Sequence, residues 1–257
     1  MVLAVINQLS RADAVLKRAF EVAKDERVDI LFVHEAPLFE LEELLLDKES
    51  RFDKAKTKAL LEEKVKRFSN QEVAILVQEG ATADIIYDLL KEDKALIVSW
   101  YYQDIAKSFL RTVKQDILFL KADNVFKNAV LVVESLEGVK AALDFTKRFS
   151  PEVTLYYNFY YIPDVGVLDP SLEVDLQMSE FVLEEASKEF ENLCNELGVK
   201  GRFFLNGVDN EEELSELINK EGFLLTAYKE DEDEFLLDSL ASELLENVGS
   251  DFLLIRI

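Results

Sequence analysis

Short, near-continuous apolar runs recur along this chain, each followed by a segment with helical spacing, and the whole order is run through twice. In the first half the runs are Val2-Leu3-Ala4-Val5-Ile6, Asp29-Ile30-Leu31-Phe32-Val33, Val73–Val77, Ala95-Leu96-Ile97-Val98 and Ile117-Leu118-Phe119-Leu120. Between them lie helical patterns. Val15, Ala19, Val22 and Ala23 share one face, with Ser10 as the expected N-cap and Asp13 three residues on. Leu61, Val65 and Phe68 are spaced as the end of a long helix, Gly80 turns the chain into a helix across 81–91, and a short helix spans Ile105–Arg111. In the second half, strands are expected at 129–133, 153–159, 201–205, 223–226 and 252–257, and helices at 137–149, Leu172–Leu197, 210–220 and 235–248. In the long helix Ala186, Phe190, Leu193 and Leu197 form a core-facing stripe. Strands that are apolar along their length and alternate with helices imply a parallel sheet covered on both faces, and right-handed crossovers reduce the topologies to a doubly wound α/β sheet.

The repetition is visible in the residues as well. Ile105-Ala106-Lys107-Ser108-Phe109-Leu110 aligns with Leu240-Ala241-Ser242-Glu243-Leu244-Leu245, and the strand starting at Ile117 aligns with the one starting at Phe252, both at a shift of 135 residues. Such self-similarity points to duplication. The polar stretch 121–128 marks the boundary, giving expected domains at 1–123 and 124–257. A length of 257 residues suits two ordinary domains, and with 8 Gly and 4 Pro no long disordered linker is expected.

Charge and cysteine usage limit the partners. The net charge is −23, made of −4 from residues 1–123 (19 basic, 23 acidic) and −19 from the remainder (10 basic, 29 acidic). A surface of this sign repels phosphate backbones and anionic lipid, so neither nucleic acid nor membrane is an expected partner. No apolar run approaches the roughly 20 residues that span a bilayer, and no N-terminal run has the flanks of a signal peptide. The single Cys194 has no disulfide partner within the chain. These features lead us to expect a cytoplasmic location.

The chain resembles the universal stress protein family. The resemblance rests on an apolar strand ending in a polar residue before the first helix of each half, Val5-Ile6-Asn7 to Leu16 and Val132-Val133-Glu134 to Leu143, and on the closing helix–strand unit Ile105–Arg111 to Ile117–Leu120. It covers nearly the whole chain, twice. It implies two tandem five-stranded parallel sheets of strand order 3-2-1-4-5, of the adenine nucleotide α-hydrolase-like type. It also implies that the last strands of the two halves pair with each other as a pseudo-dimer. Ile117, Phe119, Phe252, Leu254 and Ile255 are then the interface candidates, which suits the need to cover edge strands.

Nucleotide-binding members of that family carry a glycine-rich loop after the fourth strand: Gly, two residues, Gly, nine residues, then Gly-Ser or Gly-Thr. Bare backbone N–H groups there cradle phosphates. An Asp ends the first strand. Here the first half runs from Ser99 through Trp100-Tyr101-Tyr102-Gln103-Asp104 straight into the last helix, about ten residues short of the pattern and without glycine. Asn7 replaces the Asp. The second half keeps the loop length across Thr226–Ser239, and Ser239 matches the terminal Ser/Thr. Asp238, however, stands where Gly belongs, and Glu230–Glu234 are five consecutive acids. A like-charge contact at ~4 Å costs ~1 kcal/mol even in water, so this loop repels a triphosphate. It also lacks the alternate spacing and turn glycine of a calcium loop. The resemblance therefore implies no cofactor. If ATP is bound, the positions concerned are Glu134, Thr226, Asp238 and Ser239 in the second half, and Asn7 and Ser99 in the first.

Other residues have a functional and a plain structural reading side by side. His34, the single histidine, ends the second strand, at the edge where open α/β sheets bind ligands. Trp100, Tyr101 and Tyr102 either plug the cleft or present an apolar partner surface. Tyr156, Tyr157, Phe159, Tyr160 and Tyr161 should alternate between core and surface, the exposed set being a candidate interaction patch beside 163–170. Cys194 has no basic neighbour to activate it and reads as structural. Metal ligation and catalysis find no residue set. The leading reading is a non-catalytic bacterial stress-family protein that acts through protein contacts, with a homodimer as an option. Its rivals are an ATP-binding switch that uses only the second half, and a nucleotidyl transferase or hydrolase of the wider fold group.

Overall fold

A computed structural model describes residues 1–35, 52–90, 94–121, 128–133, 135–159, 172–205, 223–229 and 249–256. By their contacts the strands fall into two compact units.

The first unit holds strands β1 (Val2–Ile6), β2 (Val28–His34), β3 (Ile75–Glu79), β4 (Leu96–Trp100) and β5 (Asp116–Leu120). The final strand of the chain, β10 (Asp251–Arg256), belongs to the same unit. The order is β3-β2-β1-β4-β5-β10, parallel from β3 to β5. Strand order 3-2-1-4-5 thus holds across the first five strands, with a sixth strand added antiparallel on β5. Every residue of β1 and of the apolar run of β4 is buried, as expected of strands covered on both faces.

The helices follow the same logic. Helix α1 (Ala12–Ala23) buries Ala12, Val15, Leu16, Ala19 and Ala23. Helix α2 (Lys54–Val65) is capped by Asp53, whose Oδ1 accepts from the N–H groups of Ala55 (2.9 Å) and Lys56 (3.0 Å), and it buries Thr57, Leu61 and Val65. Helix α3 (Thr82–Leu90) turns in Thr82, Ala83, Ile86 and Leu90. Gly80 precedes it at φ +139°, a backbone value costly for any residue with a Cβ. Helix α4 (Gln103–Thr112) buries Ala106 and Phe109.

Two details depart from the expectations. Ser10 does not cap α1. It lies in a 3-10 turn, Leu9–Arg11, and the residue at the cap position is Arg11, which makes no side-chain capping bond. The third strand begins two residues later than its apolar run and continues through Gln78 and Glu79, which stand opposite Val33 and His34. At the margin of the unit, pairing with β2 carries a half-exposed strand into polar sequence.

In the second unit β6 (Asn128–Val133), β7 (Glu152–Phe159), β8 (Lys200–Leu205) and β9 (Phe223–Lys229) are all parallel, in the order β9-β6-β7-β8. Helix α5 (Val139–Thr146) buries Val139, Ala142, Leu143 and Thr146. The long helix α6 (Leu172–Leu197) buries Phe190 and Cys194. The expected helices at 210–220 and 235–248 lie outside the described residues.

Candidate functional site

In an open α/β sheet the ligand crevice lies past the carboxy ends of neighbouring strands whose connections leave in opposite directions. In the first unit those strands are β1 and β4, paired through Val2↔Leu96 to Val5↔Ser99. Asn7 follows β1. Ser99 is fully buried inside β4 and donates its hydroxyl to Trp100 O at 3.3 Å. Only Tyr101 and Tyr102 separate β4 from α4, too little chain for a phosphate-wrapping loop.

Aromatic side chains occupy this edge. The Arg11 guanidinium lies over the Trp100 ring, 4.1 Å from its centroid. Tyr101 packs edge-on against Phe119, with ring centroids 6.1 Å apart, and donates its backbone N–H to Leu120 O at 2.8 Å. Lys121 Nζ sits 4.2 Å above the Tyr101 ring. Tyr102 turns its hydroxyl into the protein, where no hydrogen-bond partner meets it among the described residues. Burial raises its pKa, with the positive charge of Arg11 pulling the other way, so Tyr102 is a neutral phenol at physiological pH.

On the β2–β3 side of β1 a chain of hydrogen bonds fixes Asn7. Glu35 Oε1 accepts from the Thr82 hydroxyl (2.5 Å) and from the Thr82 N–H (3.3 Å) at the start of α3. A carboxylate only accepts, so the single hydroxyl proton of Thr82 is committed to Glu35. Thr82 Oγ1 must then accept from Asn7 Nδ2, at 2.6 Å. That direction leaves Asn7 Oδ1 as the buried atom without a partner among the described residues. A buried polar atom left unsatisfied costs about 1–3 kcal/mol.

His34 ends β2 and stacks on Phe52, ring centroids 4.3 Å apart and nearly parallel, while its carbonyl accepts the Gly80 N–H at 3.2 Å. In the second unit Thr226 lies in β9 opposite Leu131; Glu134, Asp238 and Ser239 lie outside the described residues. The aromatic run of β7 does not alternate between core and surface, because Tyr156 and Tyr157 are both buried. Tyr156 stacks on Phe204, and Tyr157 packs among Phe159, Phe190 and Phe203. Both faces of β7 are covered, and burial raises both phenol pKa values. Tyr160 and Tyr161 are outside the described residues. Cys194 is buried, and desolvation, followed by the charge of Glu191, pushes its thiol pKa up, the opposite of an activated nucleophile.

The residues proposed for a pseudo-dimer seam are all buried: Ile117, Phe119, Phe252, Leu254 and Ile255. Phe252 stands opposite Phe119 and Leu254 opposite Ile117 in the antiparallel pair of β10 and β5. At the start of β10, buried Asp251 accepts the Lys121 N–H on Oδ1 at 2.7 Å.

No family model and no curated protein matches the sequence, but solved structures do, among them two that match over almost its full length. One is a functionally unknown protein, PA1789, from Pseudomonas aeruginosa PAO1, with TM-score 0.66 and 14% identity over 99% of this chain and 92% of that one. The other is a universal stress protein from Archaeoglobus fulgidus DSM 4304, with TM-score 0.58 and 13% identity over 99% of this chain and 95% of that one. This chain has the universal stress protein fold. Within that fold, Arg11, Thr82 and Glu35 were not legible as site residues. Each lies far in sequence from the groups it meets, and none belongs to a local motif. Among the described residues of this universal stress protein fold, no helix is long and apolar enough to cross a membrane, and no cluster of three or more His, Cys, Asp or Glu is placed to hold a metal.

Proposed function

We propose that this chain is a tandem, non-catalytic stress-response protein of the cytoplasm that works through protein contacts rather than by binding and releasing ATP. Its two repeats, 1–123 and 124–257, would pair through their last strands. The likeness to a universal stress protein structure supports the stress-response part of this reading. The observation that carries the rest is the edge beyond β4: two residues lead into α4, and Trp100, Tyr101 and Tyr102 take up the space where a nucleotide loop would expose its backbone. Polyphosphate binding needs bare N–H groups in electropositive surroundings. This edge offers rings instead. In the second repeat, the acids Glu230–Glu234 repel the same ligand by charge.

Calorimetric titration of the full chain with ATP and Mg²⁺ tests the proposal. The expected result is no heat of binding up to millimolar nucleotide. Stoichiometric binding at micromolar concentration would remove it, and loss of that binding in Glu134→Ala would assign the activity to the second repeat.

A further inference from the structure

Helix α6 is too long for the sheet it covers. It has 26 residues, about 39 Å, against 8 residues, about 26 Å, in β7. Its level on the sheet is fixed where Phe190 packs against Tyr157 and Phe203, which are register partners in β7 and β8. A helix joining parallel neighbours runs back antiparallel to them, so its N-terminal end points past their carboxy ends. From Phe190 back to Phe181 is about 13 Å along the helix, whereas β7 continues from Tyr157 only to Phe159, about 7 Å. Phe181 thus stands beyond the end of the strand. At 100° per residue it also lies half a turn from Phe190, away from the core of its own unit, and it is 62% exposed. Glu184, Glu185 and Lys188 are exposed on the same side, with Lys188 Nζ donating to Glu184 Oε1 at 2.6 Å. Over its length α6 carries eight acids and one Lys.

The first unit holds a helix of opposite character. Helix α2 and the two residues after it carry six basic and two acidic side chains. Thr57, Leu61 and Val65 are turned into the core. Lys56, Leu60, Glu63 and Arg67, at spacings of 4, 3 and 4, form an exposed stripe along the helix. Leu60 is 39% exposed, an apolar side chain among bases, as Phe181 is an apolar side chain among acids.

We propose that α6 of one copy docks antiparallel on α2 of a second copy of this chain, with Phe181 against Leu60. Antiparallel pairing about that contact sets Glu185 opposite Lys56 and Lys188 opposite Asp53. Parallel pairing would set Glu184 opposite Glu63 and Lys188 opposite Arg67, so charge selects the antiparallel arrangement. Charge also selects the partner helix, because α6 set against another α6 would bring acid against acid. Each copy is net −23, but α2 belongs to the half that carries −4, and at physiological salt exposed charges beyond about 8 Å are largely screened. The contact joins two different surfaces, so two copies can close on each other reciprocally or extend into a chain. This goes beyond the proposed lack of ATP binding and stands whatever the nucleotide titration shows.

Sedimentation velocity of the full chain, from micromolar to submillimolar concentration, tests this. The expected result is reversible, concentration-dependent association. Phe181→Asp and Leu60→Asp should each weaken it at least about tenfold. Both positions are exposed, and circular dichroism checks that the variants fold. Glu185→Lys and Lys56→Glu should each weaken association about fivefold, and the double variant should return to within about twofold of the original chain. Mixing decides the pairing. Leu60→Asp keeps an intact α6 and Phe181→Asp an intact α2, so a one-to-one mixture should associate where neither variant does alone. A chain that stays monomeric throughout the range overturns the proposal. So does undiminished association in folded Phe181→Asp or Leu60→Asp, a charge swap that restores nothing, or a mixture that stays monomeric.

Discussion

Gly201, in β8, is a tight single-residue constraint. A Cβ built there would come within 2.3 Å of Cys194 Sγ and 2.7 Å of the Phe190 ring. Both belong to the buried side of α6. The Phe190 ring has little room to retreat, since it is packed against Tyr157 and Phe203. Gly201→Ala should therefore destabilise the second unit by about 1–3 kcal/mol, the usual cost of overpacking, seen as a lower urea midpoint. A double variant, Gly201→Ala with Cys194→Ala, should recover part of the loss by making room. At this scale the sequence was informative where a residue's role is local. It placed Phe190 in the core stripe of α6, where it is buried, and it gave Cys194, outside that stripe, no activating neighbour, in keeping with a thiol pKa raised by burial. It was uninformative where the role comes from convergence. Nothing near Thr82 in the chain signals that its hydroxyl links Asn7 to Glu35, because 75 residues separate the first pair and 47 the second.

Among the elements, β10 shows most clearly how the repeat is used. A shift of 135 residues carries Leu118 onto Leu253, and those two stand opposite each other. It also carries Ile117 onto Phe252 and Phe119 onto Leu254, and the observed pairs are Ile117 with Leu254 and Phe119 with Phe252. The β5–β10 ladder is thus locally two-fold, the self-complementary arrangement of an isologous contact. Asp251, the repeat equivalent of Asp116, anchors the ladder at one end by accepting the Lys121 N–H. Asp251→Ala leaves that donor without its carboxylate and should cost about 1–3 kcal/mol in equilibrium unfolding, with Asp251→Asn costing less because an acceptor oxygen remains. A change below about 0.5 kcal/mol in Asp251→Ala would show that the ladder holds without it. Strand identity was readable from apolar runs alone. Strand ends were less so: pairing with β2 extends β3 through Gln78 and Glu79, and a 3-10 turn rather than Ser10 leads into α1.

For the whole molecule, the legible part was the α/β alternation, which follows from runs and crossovers, and the order of the first five strands, which the family resemblance implied. The chemistry at the sheet's edge was legible chiefly as a departure: a two-residue turn where a glycine loop is expected, and aromatic residues in its place. Those residues now have partners, Arg11 on Trp100 and Phe119 against Tyr101. Sequence alone had left open whether the rings fill the crevice or face outward, because ring direction depends on contacts from other elements. The central claim is that aromatic side chains, not bare main chain, line the first repeat's crevice. A crystal structure grown in millimolar ATP and Mg²⁺ tests it most directly. The account predicts density for the Trp100, Tyr101 and Tyr102 rings as described, with no adenosine phosphate against residues 99–104. A nucleotide seated there, with those rings displaced, would contradict it.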